Sequence, residues 1–378
     1  MDRIKFIGIV GGTIGAVGIT TYLSSDCTNL VRADLKQIDN NKTLKPDQRE
    51  ILFLASLAPS GHNTQPWFVR YLEPYHWIIG NDKSKWLPAV DPNQRETMLS
   101  IGAFLQNLEY AAGSFGYACD WKLLATTNQD ERVMEVKLSK KASPNNFDIT
   151  KITSRRTVRS NFLSDLLKQE DITYLVDSEP EFIHYLPNNS KESKFINEQT
   201  IVANRLQSYR DPAQQELANW IRFSSQDANK YRDGLTTAGM EITGISGWMV
   251  RNFYDKDNVM TKDFRERGID NIQKEVSASA GWILITSQDH SVAALLETGR
   301  RMERLFLKVR ERNIAIHPMT QILEESSTRD KLNRSIGIEE HIQFILRTGY
   351  LKNYPQPVSL RRTLIGVAFV KENRFIQT

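Results

Sequence analysis

Residues 58–67 read Ala-Pro-Ser-Gly-His-Asn-Thr-Gln-Pro-Trp, and the reading of the fold grows outward from this decapeptide. It follows an apolar run, Ile-Leu-Phe-Leu-Ala-Ser-Leu at 51–57, which predicts a helix ending in a tight turn. Pro59 has no backbone N–H, and Gly61 can take positive φ at no steric cost. Ser60, His62, Asn63 and Gln65 place donors and acceptors within six positions. Such a loop suits a flat, polar-edged heterocycle; the plainer alternative is a helix C-cap leading into a strand at Trp67.

The chain has 378 residues, enough for one large or two medium domains with an ample core. Hydrophobic residues make up 40% and charged residues 25%, as in ordinary globular proteins. With 49 basic and 45 acidic residues the net charge of +4 is too balanced to argue for nucleic acid, and no basic run is interleaved with aromatics. Two cysteines, Cys27 and Cys119, make no disulfide framework, and no Cys/His spacing suits a metal. No Ser/His/Asp or Cys/His arrangement stands out, so no catalytic side chain is assigned.

The N-terminus differs from the rest. Arg3 and Lys5 precede the uncharged apolar run 6–23, which carries Gly8, Gly11, Gly12, Gly15 and Gly18. A basic start before such a run reads as a signal peptide or a membrane anchor over residues 1–26, with membrane contact through 6–23. The folded part is then expected outside the cytoplasm, with a cytoplasmic location as the alternative.

Beyond it the chain shows a faint duplication. Residues 100–112 run at helical period, and the pattern returns at 298–309. A constant offset of 197 takes Gly102 to Gly299, Leu105 to Met302, Leu108 to Leu305 and Ala112 to Val309. Strand-like runs precede each helix (76–79 and 281–285) and follow it (118–124 and 314–317). Two homologous α+β units are predicted, 30–147 and 148–378, packed on each other as an intramolecular pseudo-dimer. The boundary falls at the polar cluster 143–147, and an insertion near 186–275 interrupts the second unit.

Directly after the boundary comes Ser154-Arg-Arg-Thr-Val-Arg-Ser-Asn-Phe162. Three arginines and a hydroxyl within five residues form a candidate anion cradle, since planar guanidinium forks match phosphate geometry; a solvated charged helix start is the alternative. Near the C-terminus Arg347-Thr-Gly-Tyr350 is followed by Pro357-Val-Ser-Leu-Arg-Arg362.

Together these motifs resemble the nitroreductase family: the 58–67 loop is similar to its flavin-contacting APSxxNxQPW, the 155–159 stretch to its Arg-x-Ser-x-(Arg/Lys), and the last segment to its closing basic motif. The resemblance covers roughly 45–370 and is closest to the Acg-like FMN-binding branch, in which two such units are fused. It implies a nitroreductase-like α+β fold and FMN as cofactor. The loop occurs only in the first half and the arginine motifs only in the second, so one flavin site can be assembled. The resemblance assigns the phosphate to Arg155, Thr157, Arg361 and Arg362 and a ring edge to Arg159, and counts Arg156 among the cofactor-binding residues. It places Pro59, Ser60, Gly61, Asn63 and Gln65 on the ring from the other half, and Pro318, Met319 and Thr320 near the flavin N5. The activity implied is electron transfer from NAD(P)H or another donor to a flat acceptor such as a nitroaromatic or quinone, the flavin doing the chemistry. A low-turnover protein that sequesters FMN is the alternative.

Overall fold

The computed structural model describes residues 26, 29–34, 43–141 and 143–363. The apolar run 6–23, and with it the expected signal or anchor, lies outside them. Among the described residues no helix is long and apolar enough to cross a membrane.

The first half opens with helix α1 (Pro46–Ser56), whose start has proline in its first turn and Asp47 near the positive end of the helix dipole. Strands β1 (Trp67–Glu73) and β2 (His76–Asn81) follow, then helix α2 (Arg95–Ser114), β3 (Tyr117–Leu123) and β4 (Arg132–Lys140). The four strands form an antiparallel sheet in the order β1-β2-β4-β3. Helix α2 is buried on every side along 97–108, as a helix at the centre of a molecule must be. Its free N-terminal amides are met in part by Asp91, whose Oδ2 accepts from Thr97 N at 3.1 Å.

The second half carries α3 (Gln169–Val176) and β5 (Ile183–Pro187), and resumes at β8 (Gly281–Ser287), α10 (Val292–Val309), β9 (Ile314–Pro318), α11 (Ser326–Ile336) and β10 (His341–Tyr350). Between β5 and β8 lies the insertion: α4 (Lys191–Tyr209), α5 (Asp211–Trp220), the two-residue strands β6 (Ile221–Arg222) and β7 (Leu235–Thr236), α6 (Ser225–Tyr231), α7 (Gly244–Phe253), α8 (Lys256–Met260) and α9 (Lys262–Ser277). The second sheet runs β5-β8-β10-β9, again antiparallel. In chain order both sheets therefore have the pattern one-two-four-three, with the long helix between their second and third strands. All seven residues of β8 are buried, as expected of a strand covered on both faces.

Helices α2 and α10 cross at the centre. A Cβ on Gly102 would lie 2.1 Å from the Leu296 carbonyl oxygen, and one on Gly299 would lie 2.0 Å from that of Leu99. The two glycines bring backbone against backbone, which no other residue permits. Around this crossing Leu99, Leu105 and Leu108 share one apolar core with Leu295, Met302, Leu305 and Phe306. The halves thus have a common interior rather than two separate ones. The insertion is tied to the first half: the Glu216 carboxylate accepts from Ala89 N at 2.9 Å and Val90 N at 3.2 Å, and Trp220 and Ala213 pack with Leu87 and Val90.

Candidate functional site

Helix α1 ends where Leu57 and Ala58 donate back to Leu54 and Ala55, and the chain turns at once into the 59–65 loop. The left-handed positions are not at glycine. His62 has φ 49°, Asn63 55° and Gln65 55°, while Gly61 is absent from the positive-φ residues. The expectation that Gly61 supplies the left-handed conformation is thus corrected. Gly61 is needed for room: a Cβ there would come 3.1 Å from Leu87 Cδ1 and 3.4 Å from Glu96 Oε2. Three left-handed non-glycine residues in four positions store strain that neighbouring contacts must hold.

Those contacts are specific. Asn63 Nδ2 donates to Gly234 O at 3.1 Å, and Gly234 N donates back to Asn63 O at 3.1 Å. Gln65 Nε2 donates to Arg232 O at 3.0 Å, and its Oε1 accepts from Arg362 N at 2.9 Å. Asn63 and Gln65 therefore stitch the loop to the insertion and to the C-terminal segment; they do not line the cavity. Their amides are used in fixing a left-handed backbone.

A cavity of about 350 Å³ lies between the halves and the insertion, within the range of small-molecule sites. The first half contributes Pro59, Ser60, Gly61, His62 and Glu96; the second contributes Thr157, Arg159, His317, Pro318, Thr320 and Glu324; the insertion adds Gln207, Gln214, Phe264 and Arg265. Met319 is not among its walls. It donates its N–H to Ile345 O at 2.8 Å and packs in the core beside Trp282, since side chains alternate across a strand.

Two arginines line the cavity, Arg159 and Arg265, and the second is paired with Asp211 at 2.8 Å. Arg159 Nη1 lies 2.8 Å from His317 Nε2, and its Nε donates to Gly239 O at 3.2 Å. Guanidinium can only donate, so Nε2 accepts and the His317 proton sits on Nδ1, which faces Glu275 Oε2 at 3.6 Å. Burial first, then Arg159 and Arg347, hold the His317 pKa well below its ordinary value, so the ring is neutral. Burial also lowers the Arg159 pKa, opposed by Glu275 and Glu241.

A carboxyl pair also lines the cavity. Thr320 Oγ1 lies 3.1 Å from Glu96 Oε1 and 3.1 Å from Glu324 Oε1. Burial and then Glu96 push the Glu324 pKa well above the carboxylate range, which favours its protonated form. Gln207 Nε2 donates to its other oxygen at 2.5 Å. Neither glutamate carried a local sequence signal; only the i,i+4 spacing of Thr320 and Glu324 hinted at a shared face.

The arginines expected to grip phosphate are placed otherwise. Arg361 donates to the carbonyls of Ser56 (2.7 Å), Leu57 (2.9 Å) and Ala58 (3.0 Å) and to Asn63 Oδ1 (2.9 Å). Arg155 donates to Leu57 O at 3.0 Å, with Glu303 3.6 Å away. Arg362 donates to Trp67 O at 2.8 Å and to Asp82 at 3.3 Å. These three guanidinium groups bind carbonyls at the end of α1 and around the loop, and none lines the cavity. Arg156 also lies outside it: its Nη2 donates to Glu241 Oε1 at 2.9 Å. Arg155 Nε and Nη1 remain buried without a hydrogen-bond partner, so this guanidinium group keeps donors beyond the carbonyl it binds. Of the 155–159 motif only Thr157 and Arg159 reach the cavity.

The lining fits the ring of a flavin: the cavity takes Arg159 and Thr157 from one half and Pro59, Ser60 and Gly61 from the other. Arg155, from the same stretch as Arg159, keeps Nε and Nη1 buried without a hydrogen-bond partner.

Fold and cavity define a class, an α+β chain of two halves with matching strand order and a small-molecule cavity walled by both. Comparison with known proteins narrows it. No family model matches the chain. It is similar to the "Probable NAD(P)H nitroreductase PigM" of Serratia sp., 22% identical over 328 residues covering 82% of this chain and 89% of that one. It is also similar to the "Putative NAD(P)H nitroreductase acg" of Mycobacterium tuberculosis, 24% identical over 330 residues covering 84% and 94%. The FMN-dependent nitroreductase NfnB of Mycobacterium smegmatis, solved in complex with NADPH, superposes with a TM-score of 0.37 at 14% identity over 58% of this chain and 96% of that chain. Over most of its length the chain is thus similar to proteins that carry the name NAD(P)H nitroreductase, PigM and Acg among them.

Proposed function

We propose that the protein is an FMN-dependent oxidoreductase of nitroreductase type, passing electrons from a reduced nicotinamide or other donor to a flat acceptor such as a nitroaromatic or quinone. The observation that carries this reading is a cavity whose walls come from both halves and hold Arg159 and Thr157 together with Pro59, Ser60 and Gly61. FMN, when bound there, would supply the two-electron chemistry. Arg159 would stabilise negative charge at the ring edge in a site where water is scarce. Thr157 would donate to the ligand, and Pro59 and Pro318 would bound it. The carboxyl pair Glu96/Glu324 holds a proton inside the cavity, next to the place where an acceptor gains charge. His62 and His317, both neutral, leave Arg159 as the cavity's principal fixed positive charge.

The relatives' printed names support a nicotinamide donor. The test is an absorption spectrum of the purified protein followed by anaerobic titration with NADPH. Flavin bands that bleach on titration, and return when a quinone is added, support the proposal. Absence of flavin even after reconstitution with excess FMN would sink it. A second reading, sequestration of FMN with little turnover, is favoured by the insertion residues Gln207, Gln214 and Phe264 in the cavity wall, which narrow access for a second ligand. Bound flavin that neither NADPH nor a quinone can reach would select that reading. We also propose export or anchoring through residues 6–23, checked by fractionation of cells expressing the full chain.

A further inference from the structure

Helix α7 of the insertion, Gly244–Phe253, turns an apolar side to the outside. Positions 247 and 251, four apart, face inward: Arg251 is buried, and a Cβ on Gly247 would lie 2.5 Å from Ile242 O. Half a turn round the helix stand Ile245, Met249 and Phe253, again four apart and so in one row. Ile245 is 80% exposed and Phe253 57%, the two highest values for large apolar side chains among the described residues. Met249 between them is half-buried. Trp248 flanks the row, its ring edge-on to that of Phe253 with 5.2 Å between centroids. Single apolar residues scattered over a surface need no explanation, but a ridge of three beside an aromatic pair marks a contact surface.

The same helix receives the N-terminal part of the chain. Asp26 N donates to Asn252 Oδ1 at 2.9 Å, Asn252 Nδ2 donates to Asp26 O at 3.2 Å, and Arg251 Nε donates to that carbonyl at 3.0 Å. Ser225 Oγ, at the start of α6, donates to Asp26 Oδ1 at 2.7 Å. Asp26 is thereby fixed to the residue that precedes Phe253. The uncharged apolar run 6–23 ends three positions before it, and three residues span at most about 10 Å. We propose that the ridge of Ile245, Met249 and Phe253 lies on a lipid bilayer, beside the point where the chain enters it. The proposal rests on the reading of residues 6–23 as a membrane anchor. A chain held in the bilayer by that run cannot carry Asn252 farther from the lipid than the short tether allows. Helix α7 is about 15 Å long, so laid along the surface its whole ridge stays near the headgroups. Amphipathic helices in that position bury their apolar side about 5–10 Å deep, a depth at which a tryptophan ring is well placed.

The test places the full chain in vesicles of phosphatidylcholine and phosphatidylglycerol, with and without bromine on the acyl chains, since bromine quenches tryptophan on contact. The emission of wild type minus that of W248F reports Trp248. Most of this difference emission should be lost in brominated vesicles and kept in plain ones. I245D/F253D puts two carboxylates on the ridge; both positions are largely exposed, so its melting temperature should match that of wild type. It should still float with the vesicles through residues 6–23, and its Trp248 emission should escape the bromine. Vesicle-bound protein whose Trp248 ignores bromine, or I245D/F253D quenched as fully as wild type, would overturn the proposal and leave the anchor standing. Trp248 emission already blue-shifted before lipid is added, and indifferent to bromine, would assign the ridge to residues 6–23 folded back on it or to a second copy of the chain. Full-length protein that does not float with vesicles at all would refute the anchor and the ridge contact together.

Discussion

Arg361 shows how a residue type can be foreseen and its task mistaken. In the sequence it belongs to a basic closing motif; in the fold its guanidinium collects the carbonyls of Ser56, Leu57 and Ala58 together with Asn63 Oδ1. Removing it strands buried acceptors and releases a loop with three left-handed residues. Arg361→Ala should therefore cost about 2–4 kcal/mol in a denaturant titration, and should weaken FMN and riboflavin alike. Selective loss of FMN would instead show a phosphate role. His62 supplies a second test. Burial, reinforced by Arg159 and opposed by Glu96, lowers its pKa to about 4 from an ordinary 6.5. The unfolded chain takes up a proton near 6.5 and the folded chain does not until about 4. The contribution is thus complete above 6.5 and is lost as pH falls through that window. His62→Asn, which tolerates the left-handed backbone, should remove up to about 2 kcal/mol of stability loss between these pH values. An unchanged slope in melts across that range would show that His62 titrates normally.

At the scale of elements, the α2–α10 crossing sets the geometry. Gly102 and Gly299, paired in the sequence by the offset of 197, are the residues whose missing side chains let the two helices touch. Gly102→Ala would put a methyl 2.1 Å from a carbonyl oxygen that belongs to a helix and cannot swing aside. The halves would have to separate, opening a core shared by Leu105 and Leu305. A loss of about 2–3 kcal/mol is expected from such overpacking, with flavin binding lost in parallel because the cavity walls come from both halves. A Gly102→Ala protein with wild-type stability and full flavin would mean that the crossing is looser than its distances imply. Long helices and strands were legible because burial imposes periods of 3.6 and 2 on apolar residues. The insertion was legible as a polar, helix-prone interruption, but its path back onto Asn63, Gln65 and Arg159 was not, because those bonds join residues far apart in the chain.

For the whole molecule, the loop lies in one half and the 155–160 stretch in the other, so the proposed flavin site has one complete copy per chain. We predict one FMN per chain in a protein that does not need a partner to hold it. Light scattering with flavin quantitation on the same sample, using the chain from Leu30 onward, checks this. A stoichiometry near two, or a monomer that regains flavin only on dimerising, would defeat it.

The sequence by itself determined the α+β class, the likeness to proteins named nitroreductase, and the residue types at the turn after α1 and in the 155–160 stretch. These are properties of local pattern: an apolar period, a proline that withholds a donor, a cluster of forked cations. Only the tertiary structure decided where each donor points. Arg155, Arg361 and Arg362 turned to carbonyls, Arg156 to Glu241, and Arg159 alone of the group to the cavity. It also brought Glu96 and Glu324 onto one threonine. The physical reason is that a buried polar group must be satisfied by whatever lies within about 3 Å. In this chain those partners stand as many as 305 positions away.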